Sequence, residues 1–185
     1  MKRPLITFVT RTHDRPRFLK KNDESIQMQT DRDCAILVLV DVLGLGLFYA
    51  NGMLAQHKEE VQGKYVYILD DDNRLIAPDF VEGIRVIVEE SAPDIIMVKA
   101  NVGPFGVLPK PWGDSPRLGY VDSLNFIVER ELWKKHISAF HKPSFGDFCF
   151  ISELFRQPGI EVFWWDRVVA EAMQIGRLEE RRSHV

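Results

Sequence analysis

Between residues 34 and 40 the sequence reads Cys-Ala-Ile-Leu-Val-Leu-Val, apolar at every position, and the run stops at Asp41. Seven residues is the length of a strand rather than of a buried helix. A strand that is apolar on both of its alternating faces has to be covered on both, as happens in a parallel sheet between helical layers. Similar short runs occur at 5–10, 65–69 and 94–99. Between them apolar residues recur at helical spacing: Phe18, Leu19 and Ile26, with Asn22 on the same face; Leu47, Ala50, Leu54 and Val61; Phe80, Ile84, Ile87 and Val88. Further strands are expected over 120–128 and 160–165, with helices over 129–136 and 147–156. Strands alternating with helices predict an α/β fold, a mostly parallel central sheet flanked by helices. The 185 residues suit a single domain, 1–185.

The composition narrows the function. Apolar residues make up 45% and charged residues 28%, the proportions of a folded globular chain. A net charge of −3, with both signs scattered, offers no basic stripe, so nucleic acid is not an expected partner. Two cysteines, Cys34 and Cys149, make neither a disulfide framework nor a zinc knuckle, and a reducing, cytoplasmic location is the default. No apolar run approaches the roughly 20 residues needed to span a bilayer, and Arg11 interrupts the first one too early for a secretory leader. Any attachment to a membrane is expected to be peripheral, through a partner.

Ligands of open α/β sheets bind at the carboxyl ends of the strands. Two acidic positions fall there: Asp41, and the cluster Asp70-Asp71-Asp72-Asn73. Three adjacent carboxylates repel one another unless a cation or solvent offsets them. Hard oxygen donors suit Mg2+ or Mn2+, often one or two carboxylates completed by substrate phosphates. The same triplet also reads as a solvated acidic turn. Asp41 can accept hydrogen bonds from a base or ribose; taken alone, it more simply holds the amides of its own turn. Asp147 lies between Phe145-Gly146 and Phe148 at a helix start, where an aspartate commonly serves as N-cap; an apolar wall would also suit a general base of raised pKa. The histidines show no metal-ligand spacing, and His184 is either a surface residue or a ligand reaching back from the tail. The stretch 101–119, with its glycines and prolines around Phe105 and Trp112, is expected to be a functional or mobile loop.

In order and spacing these segments resemble the family 2 glycosyltransferases of the GT-A fold. Residues 5–16, ending Thr12-His13-Asp14-Arg15-Pro16, are similar to the family's first strand and its Pro-Thr-Tyr-Asn-Arg-Pro loop, with Arg11 in place of the proline. Residues 36–41 resemble the second strand, which in the family ends Val-Asp-Asp-Gly-Ser; here Val42 replaces the second aspartate, and a strand before Asn51 is missing. Tyr49-Ala50-Asn51-Gly52 resembles the Ala-Arg-Asn helix start. Gly63-Lys64-Tyr65 through Asp72-Asn73 is similar to the family's metal-motif segment. Val121-Asp122-Ser123 resembles the acceptor-side strand, and Gly146-Asp147 the pair that carries the base.

The resemblance implies a Rossmann-like GT-A domain and a metal-dependent, inverting glycosyltransferase. It would move a sugar from a nucleotide diphosphate donor, with UDP- or dTDP-sugars favoured, to a hydroxyl acceptor such as a glycan. It implies Asp147 as catalytic base, Asp72 and Asp70 as ligands of Mn2+ or Mg2+, and Thr12, Asp41, Asn51, Asp70 and Asp71 around the nucleotide. Phe105 or Trp112 would stack on the sugar. Two alternatives are a non-catalytic nucleotide-sugar-binding module, suggested by the incomplete Asp41 motif, and a nucleotidyltransferase. The latter normally carries a glycine-rich phosphate loop, and 12–16 contains no glycine.

Overall fold

β1 (Ile6–Thr12) is buried along its whole length and organises the rest. The computed structural model of the protein describes residues 3–173. After β1 come α1 (Pro16–Gln27), β2 (Cys34–Val40), α2 (Leu47–Gln56), β3 (Tyr65–Ile68), β4 (Asn73–Leu75) and α3 (Phe80–Glu90). They are followed by β5 (Ile95–Asn101), β6 (Val107–Leu108), β7 (Phe126–Glu129), α4 (Arg130–His136), α5 (Gly146–Phe155) and β8 (Val162–Ala172). Among the described residues, the strands form one sheet in the order β2-β1-β3-β7-β5-β8-β4, with β6 paired to β5.

Side chains alternate across this sheet and so feed two cores. Phe8, Tyr65, Tyr67 and Leu69 pack on one face with Ile26 of α1 and Phe80 and Ile84 of α3. Val9, Val66 and Ile68 pack on the other with Leu54 of α2, Trp133 of α4 and Phe150 of α5. The two buried phenols are satisfied: Tyr65 Oη donates to the Pro93 carbonyl at 2.7 Å and Tyr67 Oη to the Leu124 carbonyl at 2.9 Å. No described helix is long and apolar enough to cross a membrane.

The α/β class and its flanking helices agree with the sequence reading, but the sheet is mixed rather than mostly parallel. β1 pairs in parallel with β2 and β3, and β5 with β8. β7 runs antiparallel between β3 and β5, and β4 and β6 are antiparallel to their neighbours. An apolar run carries no mark of its direction, so the sequence pattern could not distinguish these pairings.

β2 corrects a second expectation. Among the described residues it pairs only with β1 and forms the sheet edge, leaving Val38 and Val40 40% and 48% exposed. The strand expected over 120–128 shrinks to β7, because Asp122 opens a 3₁₀ turn at Ser123–Asn125. The loop expected over 101–119 includes a short hairpin, Ala100 facing Leu108 and Asn101 facing Val107. Trp112 is held there edge-on against Trp164, with Lys99 Nζ over its ring. Phe105 is exposed. β8 outruns its predicted span, passing from β5 to β4 by irregular register around Lys99.

Candidate active site

Because β1, β2 and β3 are parallel, their carboxyl ends open on one side of the sheet. Polar residues gather there: Arg11 and Thr12 at the end of β1, Asp41 after β2, and Asp70, Asp71 and Asp72 in the turn between β3 and β4.

The acidic turn is shaped from behind by Asn22 of α1, which is buried. Its Nδ2 donates to the carbonyls of Leu69, Asp70 and Asn73, each at 3.0 Å, and its Oδ1 accepts from Thr10 Oγ1 at 3.2 Å. Thr10 Oγ1 also reaches the Leu69 carbonyl at 3.0 Å. Carbonyls of a tight turn that find no ladder partner need a donor, and one side-chain amide supplies it to three of them. The Asp72 carbonyl is taken by the Met173 amide at 2.7 Å, just beyond β8.

Each carboxylate then meets a different environment. Arg11 donates Nε and Nη2 to the two oxygens of Asp70, at 2.7 and 2.6 Å, and Nη1 to Asn51 Oδ1. Such two-pronged pairing is what a planar guanidinium does best. Asn51 passes the connection on, donating to the Lys142 carbonyl at 2.9 Å. Asp71 is fully buried, accepts from Thr12 Oγ1 at 2.6 Å, and lies 2.6 Å from Arg15 Nη2. Burial, with Asp72 and Asp70 adding repulsion, pushes the Asp71 carboxyl up to about 6 against the pull of Thr12 and Arg15. Asp72 is the most accessible of the three, and Arg15 Nη1 lies 3.3 Å from its Oδ2. Its pKa is also raised, by burial first and then by Asp70.

Asp41 accepts from the Gly46 amide through Oδ2 at 3.1 Å, while its Oδ1 is buried with no hydrogen-bond partner among the described residues. Burial opposes its ionisation, but the amides of Leu45, Gly46 and Gly44, with His13, outweigh burial and hold the pKa below the ordinary value. His13 Nδ1 contacts the Asp41 carbonyl at 2.6 Å, and its ring lies where a side chain at Gly44 would begin. Gly44 has φ +64°, so this turn needs glycine on both counts.

Asp147 lies in the first turn of α5. The N-cap position belongs to Phe145, in the left-handed region, and Asp147 Oδ1 accepts from the Phe148 amide at 2.7 Å. Burial raises the Asp147 pKa, Asp70 adds to the rise, and the Phe148 amide and Arg11 oppose it. Asp122 is pushed up to about 6, by burial and by the charges of Asp147 and Asp70. Arg11, Asp70, Asp122 and Asp147 thus sense one another's charge. That joins Asp147 electrostatically to the acidic turn, as a merely local helix cap need not be.

The donor set can be weighed against a divalent cation. Among the described residues, no group of three or more His, Cys, Asp or Glu is arranged to hold one. What the turn offers is the partly exposed Asp72 carboxylate, since both oxygens of Asp70 are already paired with Arg11. One such carboxylate fits a Mg2+ or Mn2+ site that substrate phosphates and water complete, not a closed cage. His184 lies outside the described residues.

The structure therefore gathers Thr12, Asn51, Asp70, Asp71 and Asp72 with Arg11 and Arg15 at the strand ends, sets Asp41 beside them after β2, and places Asp147 near enough for Arg11 and Asp70 to act on its charge. Sequence reasoning missed Asn22, counted there as one more helix-face residue, and Arg15. A polar residue at an otherwise apolar helical position was the available signal for Asn22.

No protein-family model matches the sequence, and no curated protein sequence matches it. Solved structures do. S. aureus TarS residues 1–349 align with a TM-score of 0.68 at 14% identity, over 91% of this chain and 60% of that one. Other TarS structures carry UDP or UDP-GlcNAc. The mannosyltransferase PcManGT from Pyrobaculum calidifontis, in complex with GDP-Man and Mn2+, aligns with a TM-score of 0.63 at 14% identity, over 98% of this chain and 60% of that one. A glycosyltransferase involved in glycosylation of the major capsid of PBCV-1 aligns with a TM-score of 0.56 at 14% identity, over 98% of both chains. This chain spans between 36% and 60% of the TarS chains. These likenesses show that the chain has a glycosyltransferase fold.

Proposed function

We propose that this chain is a glycosyltransferase that moves a sugar from a nucleotide diphosphate donor to a hydroxyl acceptor, a glycan, by one inverting displacement. The observation that carries the reading is the placing of Asp41 and the acidic turn at the carboxyl ends of the parallel strands β1, β2 and β3, with Arg11 paired to Asp70 and the Asp147 carboxylate near enough to feel the charge of both. Complexes of the similar proteins with UDP, UDP-GlcNAc and GDP-Man lend it support.

In this reading the unpartnered Asp41 Oδ1 accepts from the ring N–H of a pyrimidine base, which favours a uridine or thymidine donor. Thr12 and Asn51, already tied to Asp71 and Arg11, brace the pocket, and Asp70 and Asp71 support the ribose side. Asp72 and Asp70 would hold the divalent ion, Mn2+ or Mg2+, which when bound would supply Lewis-acid stabilisation to the departing diphosphate. Asp147 takes the proton of the acceptor hydroxyl as its oxygen bonds to the anomeric carbon. The bond from that carbon to the diphosphate oxygen breaks, and its electron pair leaves with the nucleotide. A base of raised pKa beside Arg11 is suited to this, since a carboxylate poised nearer neutrality is the better proton acceptor.

A second reading, a nucleotide-sugar-binding module without turnover, draws on the ion pairs that already occupy Asp70 and Asp71. Two measurements decide. A thermal-shift panel of nucleoside diphosphates with and without Mn2+ should single out UDP or dTDP with the ion, worth about 2.7 kcal/mol at a hundred times Kd. Tighter binding of GDP would overturn the base preference, and equal affinity in chelator would remove the ion. Nucleotide release from the matching donor separates an enzyme from a binding module, which releases none.

A further inference from the structure

We infer that Arg15 is the resident counter-ion of the acidic turn and that a divalent cation binds there only by displacing it. The inference rests on the proposed use of Asp72 as a metal ligand. Three carboxylates in a row carry a charge of −3 when ionised, and two guanidiniums bring it to −1. The two arginines are held very differently. Arg11 is 10% exposed at its side chain, donates to three acceptor atoms on two residues, and lies against the Phe140 ring. It is part of the fold. Arg15 reaches in from the residue before α1, is 29% exposed, and makes one 2.6 Å contact to Asp71 and a longer 3.3 Å contact to Asp72. It bridges the two acids on the open side of the turn.

A cation on Asp72 would stand beside this guanidinium. Like charges a few ångströms apart in a partly buried site repel strongly, so cation and Arg15 compete for the same carboxylate. Asp14, just before Arg15, has a positive φ of 44°, and Pro16 opens α1 after it. Arg15 therefore hangs from a turn rather than from the body of the helix, and its side chain can swing out without unwinding α1. Arg15 acts as a positioning residue: it keeps the empty turn from flying apart and sets how tightly the ion binds.

The test is Mn2+ alone, titrated into the full chain and followed by the electron paramagnetic resonance signal of free Mn2+, with thermal melts confirming that each variant is folded. Arg15→Gln should bind Mn2+ roughly tenfold tighter than the wild type, about 1.4 kcal/mol. Asp72→Asn should bind it more weakly. Arg15→Lys keeps the charge but loses the planar guanidinium that spans Asp71 and Asp72; it should tighten binding about threefold, and it serves if Arg15→Gln fails to fold. Equal or weaker Mn2+ binding in the Arg15 variants, with Asp72→Asn still impaired, overturns the inference and leaves the metal reading standing. Absence of Mn2+ binding in every form, wild type included, overturns the inference, and its absence with UDP added as well overturns the metal reading.

Discussion

Replacing Asp122 by asparagine should make the protein more stable at neutral pH, although it removes a hydrogen-bonded carboxylate. Asp122 opens the turn before β7. Its Oδ1 accepts from the Leu124 amide at 3.0 Å and from Ser123 Oγ at 3.4 Å, while its own amide donates to Asn125 Oδ1 at 2.8 Å. Asparagine retains an oxygen for the Leu124 amide. What it loses is a charge that burial, Asp147 and Asp70 all disfavour, and that holds the folded-state pKa at about 6. An aspartate in the unfolded chain titrates near 3.9. The folded state thus binds the proton more tightly, and stability falls as pH rises from about 4 to about 6. Two units correspond to about 3 kcal/mol at most; solvent reaching the site lowers the expected gain to about 1–3 kcal/mol. Urea denaturation at pH 7.5 should show Asp122→Asn more stable by that amount, and at pH 4 the two proteins should coincide. A variant no more stable than wild type at pH 7.5 would refute the argument, and would mean that Arg11 and solvent already neutralise this carboxylate. Charges kept against their own folding cost concentrate at functional sites.

Asp147→Asn should lower sugar transfer by about 10²–10⁴-fold while nucleotide binding, measured by calorimetry, stays the same; normal turnover would return Asp147 to a purely structural part. Asn22→Ala should destabilise the fold by about 1–3 kcal/mol, because the buried Asn73 carbonyl loses its side-chain donor while the Leu69 and Asp70 carbonyls are left with Thr10 Oγ1 and the Asn73 amide alone. The loss should show in urea denaturation, and a change below about 1 kcal/mol would mean that water replaces the amide.

Much of this was legible in the sequence, and the failures share a cause. β1, β3, α1 and α3 follow from local periodicity, and the placing of Asp41 and the acidic triplet at strand ends follows from where the apolar runs stop. Residues 34–40 carry the composition of a central strand, yet β2 is an edge; Cys34 and Ile36 pack on one core and Leu37 and Leu39 on the other, so both faces are partly covered, and nothing local records which neighbours a strand has. β7 inserts antiparallel between β3 and β5 because of pairings some 30 to 60 residues distant, which no window of sequence contains. Arg11 shows in the sequence only as a departure from a resembling motif. Its meaning comes from Asp70, which lies 59 residues away. Polar networks at the site are assembled from remote segments, and only the fold brings their members together.

The order in which strands leave the ribosome differs from their order in the sheet. β1, β2 and β3 are neighbours in both, so the parallel edge of the sheet can associate early, with α1 and Asn22 at hand. β4 has one strand partner, β8, which is made almost 90 residues later. The amide that takes the Asp72 carbonyl belongs to Met173, just beyond the far end of that same strand. Domains fold as units once their last essential segment is available, and pairings of such wide sequence separation form late. A nascent chain therefore carries the acidic turn held by Asn22 on one side and open on the other until β8 emerges. Of the described strands, the one synthesised last is the one that closes the turn.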